Sequence, residues 1–355
     1  MLRHLVAAPD KFRGTATAAD VAAAAGRAAR AHGWTVDEIP LADGGEGTLE
    51  VVGGTPRHTV VTGPLGDPVV AQWRILRDPG PGSVTALLPT QGGPTAVVEA
   101  ARAAGRALLP SPSGDDPVRA TTTGVGELVL AAVDAGAGRV VVAAGGSATT
   151  DGGWGAVQAI GSRDRLRGAE IVVAYDVRTP FRAAAAVFGP QKGATPAQVA
   201  VERHRLDELA ERYRRDFGVD VDGLEGAGAA GGLAGGLAAL GADLVPGWDV
   251  VSSLVGLPRR VAGAALVMTG EGRLDPTSFQ GKVVGGVIAT VAGRVPVLCV
   301  AGSVDPRMSV PGPVGPSCTV VSLVEAVGRG RAWRDTAQAV EEVVGDELCR
   351  AACAR

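Results

Sequence analysis

The sequence predicts an α/β protein in which an open, largely parallel sheet carries the ligand site and a second α/β domain is inserted into the same chain. Three observations predict it. Four apolar runs each end in a Gly-rich or acidic loop, which is how a strand buried in a parallel sheet reads. Helical segments with capping signals stand between these runs. From Val51 to about Pro117 the texture instead becomes short alternating pieces broken by Gly and Pro, the mark of an antiparallel meander.

The four runs are His4 to Ala8 before Pro9-Asp10, Arg139 to Ala144 before Gly145-Gly146-Ser147, Ala264 to Met268 before Thr269-Gly270-Glu271, and Val295 to Ala301 before Gly302-Ser303. In open α/β sheets ligands bind beyond the carboxyl ends of the strands, where such loops gather. Thr17 and Asp20 form a capping box ahead of an Ala-rich helix over 18–31, which His32-Gly33 stops. Thr195-Pro196 starts a second helix that runs to about Phe217, with Leu206, Leu209, Tyr213 and Phe217 on one face. A third helix is expected from Arg331 to about Ala352. The meander is read from VVTGPLGDPVVAQWRIL and SVTALLPT, and the stretch 166–261 from the strand-like IVVAYDV and the small-residue run GAGAAGGLAGGLAALG. The expected partition is 1–50, 118–165 and 262–355 in the main sheet domain, with 51–117 and 166–261 in the inserted domain.

At 355 residues, 46% of them hydrophobic, the chain can bury a sizeable core. A net charge of −3 and 3% aromatic residues offer neither a basic field nor stacking platforms, which argues against nucleic acid as a partner. The cysteines, Cys299, Cys318, Cys349 and Cys353, form no CxxC pair and have no His nearby, so they read as reduced packing residues of a cytoplasmic protein. No apolar stretch approaches the roughly 18 residues of a membrane span. His4, His32, His58 and His204 lie outside every loop of interest, which leaves carboxylates as the bases.

Lysine is written three times, at Lys11, Lys192 and Lys282, against thirty-one arginines, always in a Gly- or Pro-flanked motif. A compact ammonium is not interchangeable with a planar guanidinium, so these positions point to chemistry. Asp43 and Glu46, three apart in PLADGGEGT, are candidate Mg²⁺ ligands, or else a helix-start turn. Gly145, Gly146 and Ser147, followed by Asp151, suit an anion, with Asp151 as proton acceptor or metal ligand. Thr122 caps a helix and can meet an anion at its start. Lys192, in FGPQKG, can neutralise a phosphoryl group or a carboxylate. Gly270, Glu271, Arg273 and Asp275 with Lys282 resemble a phosphate loop but fail the Walker A spacing. The GAGAAG run at 226–231 matches GxGxxG but follows no strand, so close packing of small residues is its better reading than a nicotinamide site. Acids, hydroxyls, a few cations and Gly-rich loops together fit phosphoryl transfer.

Taken jointly, APDKFRG (8–14), PLADGGEGT (40–48), VTGPLG (61–66), GELVLAAVDAGA (126–137), GGSATTDGG (145–153), VFGPQKGATP (187–196), GAGAAGGLAGGL (226–237) and MTGEGRLD with the following GK (268–282) resemble the bacterial glycerate kinase family that lacks a Walker motif. The resemblance implies a Rossmann-like domain with an inserted second α/β domain, and transfer of the γ-phosphate of ATP, with Mg²⁺, to D-glycerate, usually to 2-phosphoglycerate. By matching position Asp10, Arg13, Asp43, Glu46, Ser147, Asp151, Asp176, Gln191, Lys192, Glu271, Arg273, Asp275 and Lys282 fall in the family's motifs; from their chemistry we expect catalytic roles among Asp43, Asp151, Asp176, Lys192 and Lys282 and substrate contacts from Asp10, Arg13, Gln191 and Arg273. Nucleotide contacts are expected around Ser147, Glu271 and Asp275. Lys11-Phe12-Arg13 departs from the family's usual Ser-Phe-Lys, and the stretch between Asp151 and Asp176 is shorter than in typical members. The expectations are therefore a small-molecule kinase, with a homodimer as candidate assembly, against a non-catalytic binding paralogue. Alanine at Lys192 or Asp151 is expected to abolish turnover and leave the fold intact.

Overall fold

The computed structural model describes residues 3–76, 93–109, 117–308 and 318–353. SVTALLPT falls outside them. In chain order the strands are β1 (His4–Ala7), β2 (Thr35–Glu38), β3 (Thr55–Thr62), β4 (Pro68–Leu76), β5 (Thr95–Glu99), β6 (Arg139–Ala143), β7 (Glu170–Tyr175), β8 (Asp243–Pro246), β9 (Leu266–Leu274), β10 (Val297–Val304) and β11 (Cys318–Ser322). The chain divides into two compact units, Met1–Asp43 with Val251–Arg355, and Gly44–Val250.

The first unit is built on a five-stranded sheet in the order β11-β10-β9-β1-β2, parallel throughout. Numbered within the unit this is the order 2-1-3-4-5, and the strand order reverses between β1 and β9. An open sheet leaves its crevice at that switch point, outside the carboxyl ends of the strands. Helices close the faces. Ala18–Ala31 starts at the capping box as expected, with Thr17 Oγ1 accepting from the Asp20 amide at 3.1 Å and Asp20 Oδ2 accepting from the Thr17 amide at 3.0 Å. Its Ala face buries Val21, Ala24, Ala25 and Ala28 beside Leu5, Met268, Val340 and Val344.

The second unit carries a six-stranded sheet, β3-β4-β5-β6-β7-β8. The meander read from the sequence is present: β3 pairs antiparallel with β4, and β4 with β5, while β5 through β8 run parallel. Here the expected partition is corrected. Segment 118–165 lies in this unit and not in the first, because β6 is paired to β5 and β7. All five residues of β6 are buried, and such a run fits the middle of any parallel sheet. Nothing in its composition says which one.

The helix Pro196–Phe217 has the expected bounds, with Thr195 and Gln198 as its capping box and Gly218 (φ 72°) as its C-cap. The C-terminal helix is two, Arg329–Arg334 and Thr336–Cys353, broken where Asp335 leaves helical geometry (φ −126°, ψ 41°). β9 is longer than its apolar run, because Thr269 to Leu274 continue in register with β10. Gly44, at φ 90°, lies so close to Gly247 that a Cβ placed on it would stand 2.3 Å from the Gly247 Cα, so the two ends of the second unit meet. Cys299, Cys318 and Cys349 make no disulfide. No helix among the described residues is long and apolar enough to cross a membrane.

Candidate active site

At the switch point of the first unit, a cavity of about 600 Å³ opens. Asp10 enters from the turn after β1, Asp43 from beyond β2, Glu271 and Arg273 from the end of β9, Ser303 from β10, and Lys282 from the start of the helix Val283–Val291. Lys11 and Arg13 line it from the β1 turn, and Arg329 and Trp333 from the helix Arg329–Arg334. Gly272 also lines the cavity, and a Cβ on it would stand only 3.2 and 3.3 Å from the Arg13 amide and the Phe12 Cα.

Three carboxylates in one concave place disfavour one another's charge. Burial, reinforced by the Asp43 charge, pushes the Asp10 carboxyl up to about 6, although the Lys11 amide donates to its Oδ1 at 2.7 Å. Burial pushes Glu271 up to about 7, with Asp10 adding to it and Ser278 and Lys282 opposing. The buried Glu271 Oε1 has no hydrogen-bond partner. Lys282 takes the N-cap position of Val283–Val291 without a side-chain capping bond. Lys282 thus lines the cavity from a helix start, a place that favours anions. Arg273 is held at 3.0 Å by Asp305, whose carboxyl Arg307 and Arg273 keep well below the usual carboxylate range.

Two residues at the end of β9 and just beyond it do other work. A Cβ on Gly270 would stand 2.0 Å from the Val300 carbonyl oxygen, so this glycine serves strand packing. Asp275 caps the turn Pro276–Phe279 through the Thr277 amide (2.8 Å) and hydroxyl (2.6 Å), which hold its carboxyl below its ordinary value.

The remaining sequence candidates lie in the second unit, and the structure packs them. Asp151 Oδ2 accepts from the Thr122 amide and hydroxyl, both at 2.8 Å, and from the Gly155 amide at 3.2 Å, while Oδ1 accepts from the Gly153 amide at 3.0 Å. This is a staple joining two helix starts, with its lone pairs engaged. Thr122 Oγ1 in turn accepts from the Ala156 amide at 3.0 Å. Lys192 is buried, donating to Ser147 Oγ at 3.2 Å and to the Thr149 carbonyl, and burial lowers its ammonium to about 8. Gly145 and Gly146 abut Gly45 and Glu46: a Cβ on Gly145 would stand 2.7 Å from the Gly45 Cα. Glu46, Asp176 and the Gln191 side chain are exposed, and Asp43 alone of the two expected metal ligands lines the cavity.

The sequence reading missed Glu99, whose buried carboxylate accepts from the Gly47 and Leu49 amides at 3.0 and 2.8 Å and holds the DGGEG turn. Its signal was present: Glu99 ends an apolar strand, as Asp10 follows one.

A five-stranded parallel sheet with an acid-and-cation cavity at its switch point, together with a second α/β unit and no Walker sequence, marks an α/β kinase of the non-Walker kind. The family description "Glycerate kinase family" matches residues 5–164 and 161–350, and the chain belongs to that family. It is 37% identical to glycerate 2-kinase of Escherichia coli K12 over 86% of this chain and 87% of the relative. It is 38% identical to glycerate kinase of Bacillus subtilis 168 over 85% of each. A crystal structure from Salmonella typhimurium LT2, provisionally named glycerate kinase 2, superposes with a TM-score of 0.79 at 32% identity, covering 99% of both chains.

Proposed function

We propose that the chain transfers the γ-phosphate of ATP to a hydroxyl of D-glycerate, giving 2-phosphoglycerate, in the cavity of the first unit. The observation that carries this reading is the meeting of Asp10, Asp43 and Glu271 with Arg13, Arg273 and Lys282 at the β1/β9 switch point. Asp10 is the candidate base: a carboxyl raised to about 6 is ionised near neutral pH yet basic enough to take a proton in the transition state. The hydroxyl oxygen bonds to the γ-phosphorus, its proton passes to Asp10, and the bond to the ADP oxygen breaks. Arg13 presents a fork that can hold the substrate carboxylate bidentately. Lys282 and the amides after it face the transferring phosphoryl oxygens.

Mg²⁺ fits the same residues. Among the described residues no group of three or more His, Cys, Asp or Glu side chains is arranged to hold a metal by itself. Mg²⁺ at nucleotide sites takes one or two carboxylates and completes its shell with phosphate and water. Asp43 and Glu271, the latter with its unpartnered buried Oε1, would hold it. When bound it supplies charge neutralisation for the phosphates.

The test is ADP release measured with D-glycerate, with other 2-hydroxy acids and with no acid, and ³¹P spectra of the product. Acid-dependent ADP and a 2-phosphate support the reading. Silence with retained acid binding would indicate the non-catalytic paralogue, and tight NAD binding would favour a nicotinamide-dependent oxidoreductase built on the GAGAAG run.

A further inference from the structure

Trp333 is an aromatic side chain left uncovered. Among the described residues every other tryptophan, tyrosine and phenylalanine is buried or half-buried, and Trp333 alone is exposed, at 57%. Single exposed hydrophobics are ordinary on a protein surface, and Val60, Val70, Val187 and Val201 are of that kind. Trp333 differs in its place, because it lines the cavity at the switch point of the first unit. No ring or cation among the described residues is stacked on it. The turn that carries it is nevertheless fastened. Ala332 is buried in the core of the first unit, the Thr336 hydroxyl donates to the Ala332 carbonyl at 2.7 Å, and Arg331 pairs with Glu342 at 2.5 Å. The indole is offered to the cavity from a held backbone, so that stacking on it requires little further ordering.

The width of the sheet says what would lie there. Glu271 is in register with Ala301, and Ala301 with Ser322, so two strand spacings, roughly 10 Å, separate Glu271 on β9 from Ser322 on β11. Ser322 caps the helix Leu323–Val327, from which Val324 lines the cavity, and Gly328 joins that helix to Arg329–Arg334. One end of the cavity therefore gathers carboxylates and cations, and the other gathers Val324, Ala332 and Trp333, with Arg329 one turn before Trp333. Glycerate has no π-face for an indole to meet. A nucleoside triphosphate carries a flat base at one end and phosphates at the other. We infer that Trp333 is the platform on which the purine base of the nucleotide stacks, with the phosphates directed across β10 toward Lys282. This rests on the reading of the cavity as a nucleotide-dependent kinase site. Every base has a π-face, so the platform selects a purine over a pyrimidine by overlap and not by reading hydrogen bonds.

ADP binding, followed by titration calorimetry in the presence of Mg²⁺ and without acid, tests the assignment with no turnover involved. Trp333→Ala is expected to weaken ADP roughly 5- to 150-fold, the usual worth of one base–aromatic stack, and Trp333→Phe to recover most of that loss. The side chain is exposed, so both variants are expected to fold like the parent, which circular dichroism checks. In the steady state the KM for ATP is expected to rise in Trp333→Ala while the KM for D-glycerate stays within about threefold; an equal rise in both overturns the stacking role. Acrylamide quenching supplies a second measurement, since Trp333 is the exposed tryptophan. ADP is expected to protect the parent's emission and to leave the quenching of Trp333→Phe unaltered. Equal ADP affinity in the parent and Trp333→Ala overturns the inference and leaves the kinase reading standing, whereas a parent that binds no ADP overturns both. A parent that binds CDP as tightly as ADP overturns the purine assignment.

Discussion

The Gly-rich stretches at the carboxyl ends of β6 and β9 are written alike and packed oppositely. Both continue the buried apolar run of a parallel strand, and both mix glycines with a hydroxyl and an acid. The carboxyl end of β9 lines a cavity and leaves a carboxylate oxygen of Glu271 unpartnered. After β6 the stretch is packed shut: Gly152 and Gly153 lie against Leu209 and Leu233, Asp151 satisfies four donors, and Lys192 bonds into the backbone. A glycine that lets a ligand approach and a glycine that lets another backbone approach are the same letter. What separates them is whether the neighbouring polar groups already have partners.

The sharpest way to break this contrast is to neutralise Asp10. Asp10→Asn is expected to lower kcat/KM by roughly 10²- to 10⁴-fold, the usual worth of a general base, with the fold retained. Steady-state ADP release and circular dichroism check it, and a variant within tenfold of the parent would remove Asp10 from the chemistry.

Asp151→Ala probes the packed loop. It strands four buried donors, each costing about 1–3 kcal/mol when unsatisfied, so a loss on the order of 3 kcal/mol or more is expected in urea unfolding. Turnover per folded molecule should stay within about threefold, in contrast to the expectation drawn from sequence. A large loss of turnover in a stably folded Asp151→Ala protein would erase the distinction between the two stretches.

Gly231→Ala sharpens it further. The residue sits at φ 69°, and its Cβ would stand 1.9 Å from the Thr149 carbonyl oxygen. The expected cost is about 1–3 kcal/mol. At Gly281 (φ 79°), where the added methyl meets nothing within 4 Å, only the backbone strain of about 1 kcal/mol remains. Equal destabilisation at the two sites would show that strain, not packing, sets the cost.

A further effect is one of pH. Asp10 and Glu271 have folded-state values raised to about 6 and about 7, so the native protein binds more protons than the unfolded chain above the ordinary carboxylate range. Their contribution to stability is full below about pH 4 and is lost as pH rises to about 7. The double variant Asp10→Asn/Glu271→Gln should therefore gain on the parent as pH rises through that window, measured as the difference in urea midpoints. A constant difference would mean that the two carboxyls are not raised.

Much of this was legible in the letters. Thr17-Asp20 and Thr195-Gln198 set helix starts through local bonds, and the alternating pieces around Gly63 and Gly66 showed the antiparallel strands. Asp10, Arg13, Asp43, Glu271, Arg273 and Lys282 were all named, and the cavity gathers them. The sheet membership of β6 was not legible, because strand pairing is a long-range choice that a uniformly apolar run leaves open. Nor were the engaged lone pairs of Asp151 or the burial of Lys192, since both depend on residues about 30 to 45 positions away.

The meeting of Gly44 and Gly247 bears on how the chain finds its shape. Val6 pairs with Val267 at the centre of the first sheet, although all of Gly44–Val250 separates them along the chain. Loop-closure entropy rises by only about 0.6 kcal/mol per doubling of length, but it must be met before the pairing rewards it. A second unit that has already folded returns the chain to the point where it left, and the long excursion then behaves as a tight connection. An insert that collapsed on its own strands first would therefore ease the later meeting of β1 with β9. A lesion that unfolds the insert, at Asp151 for instance, would delay assembly of a sheet to which it contributes no strand.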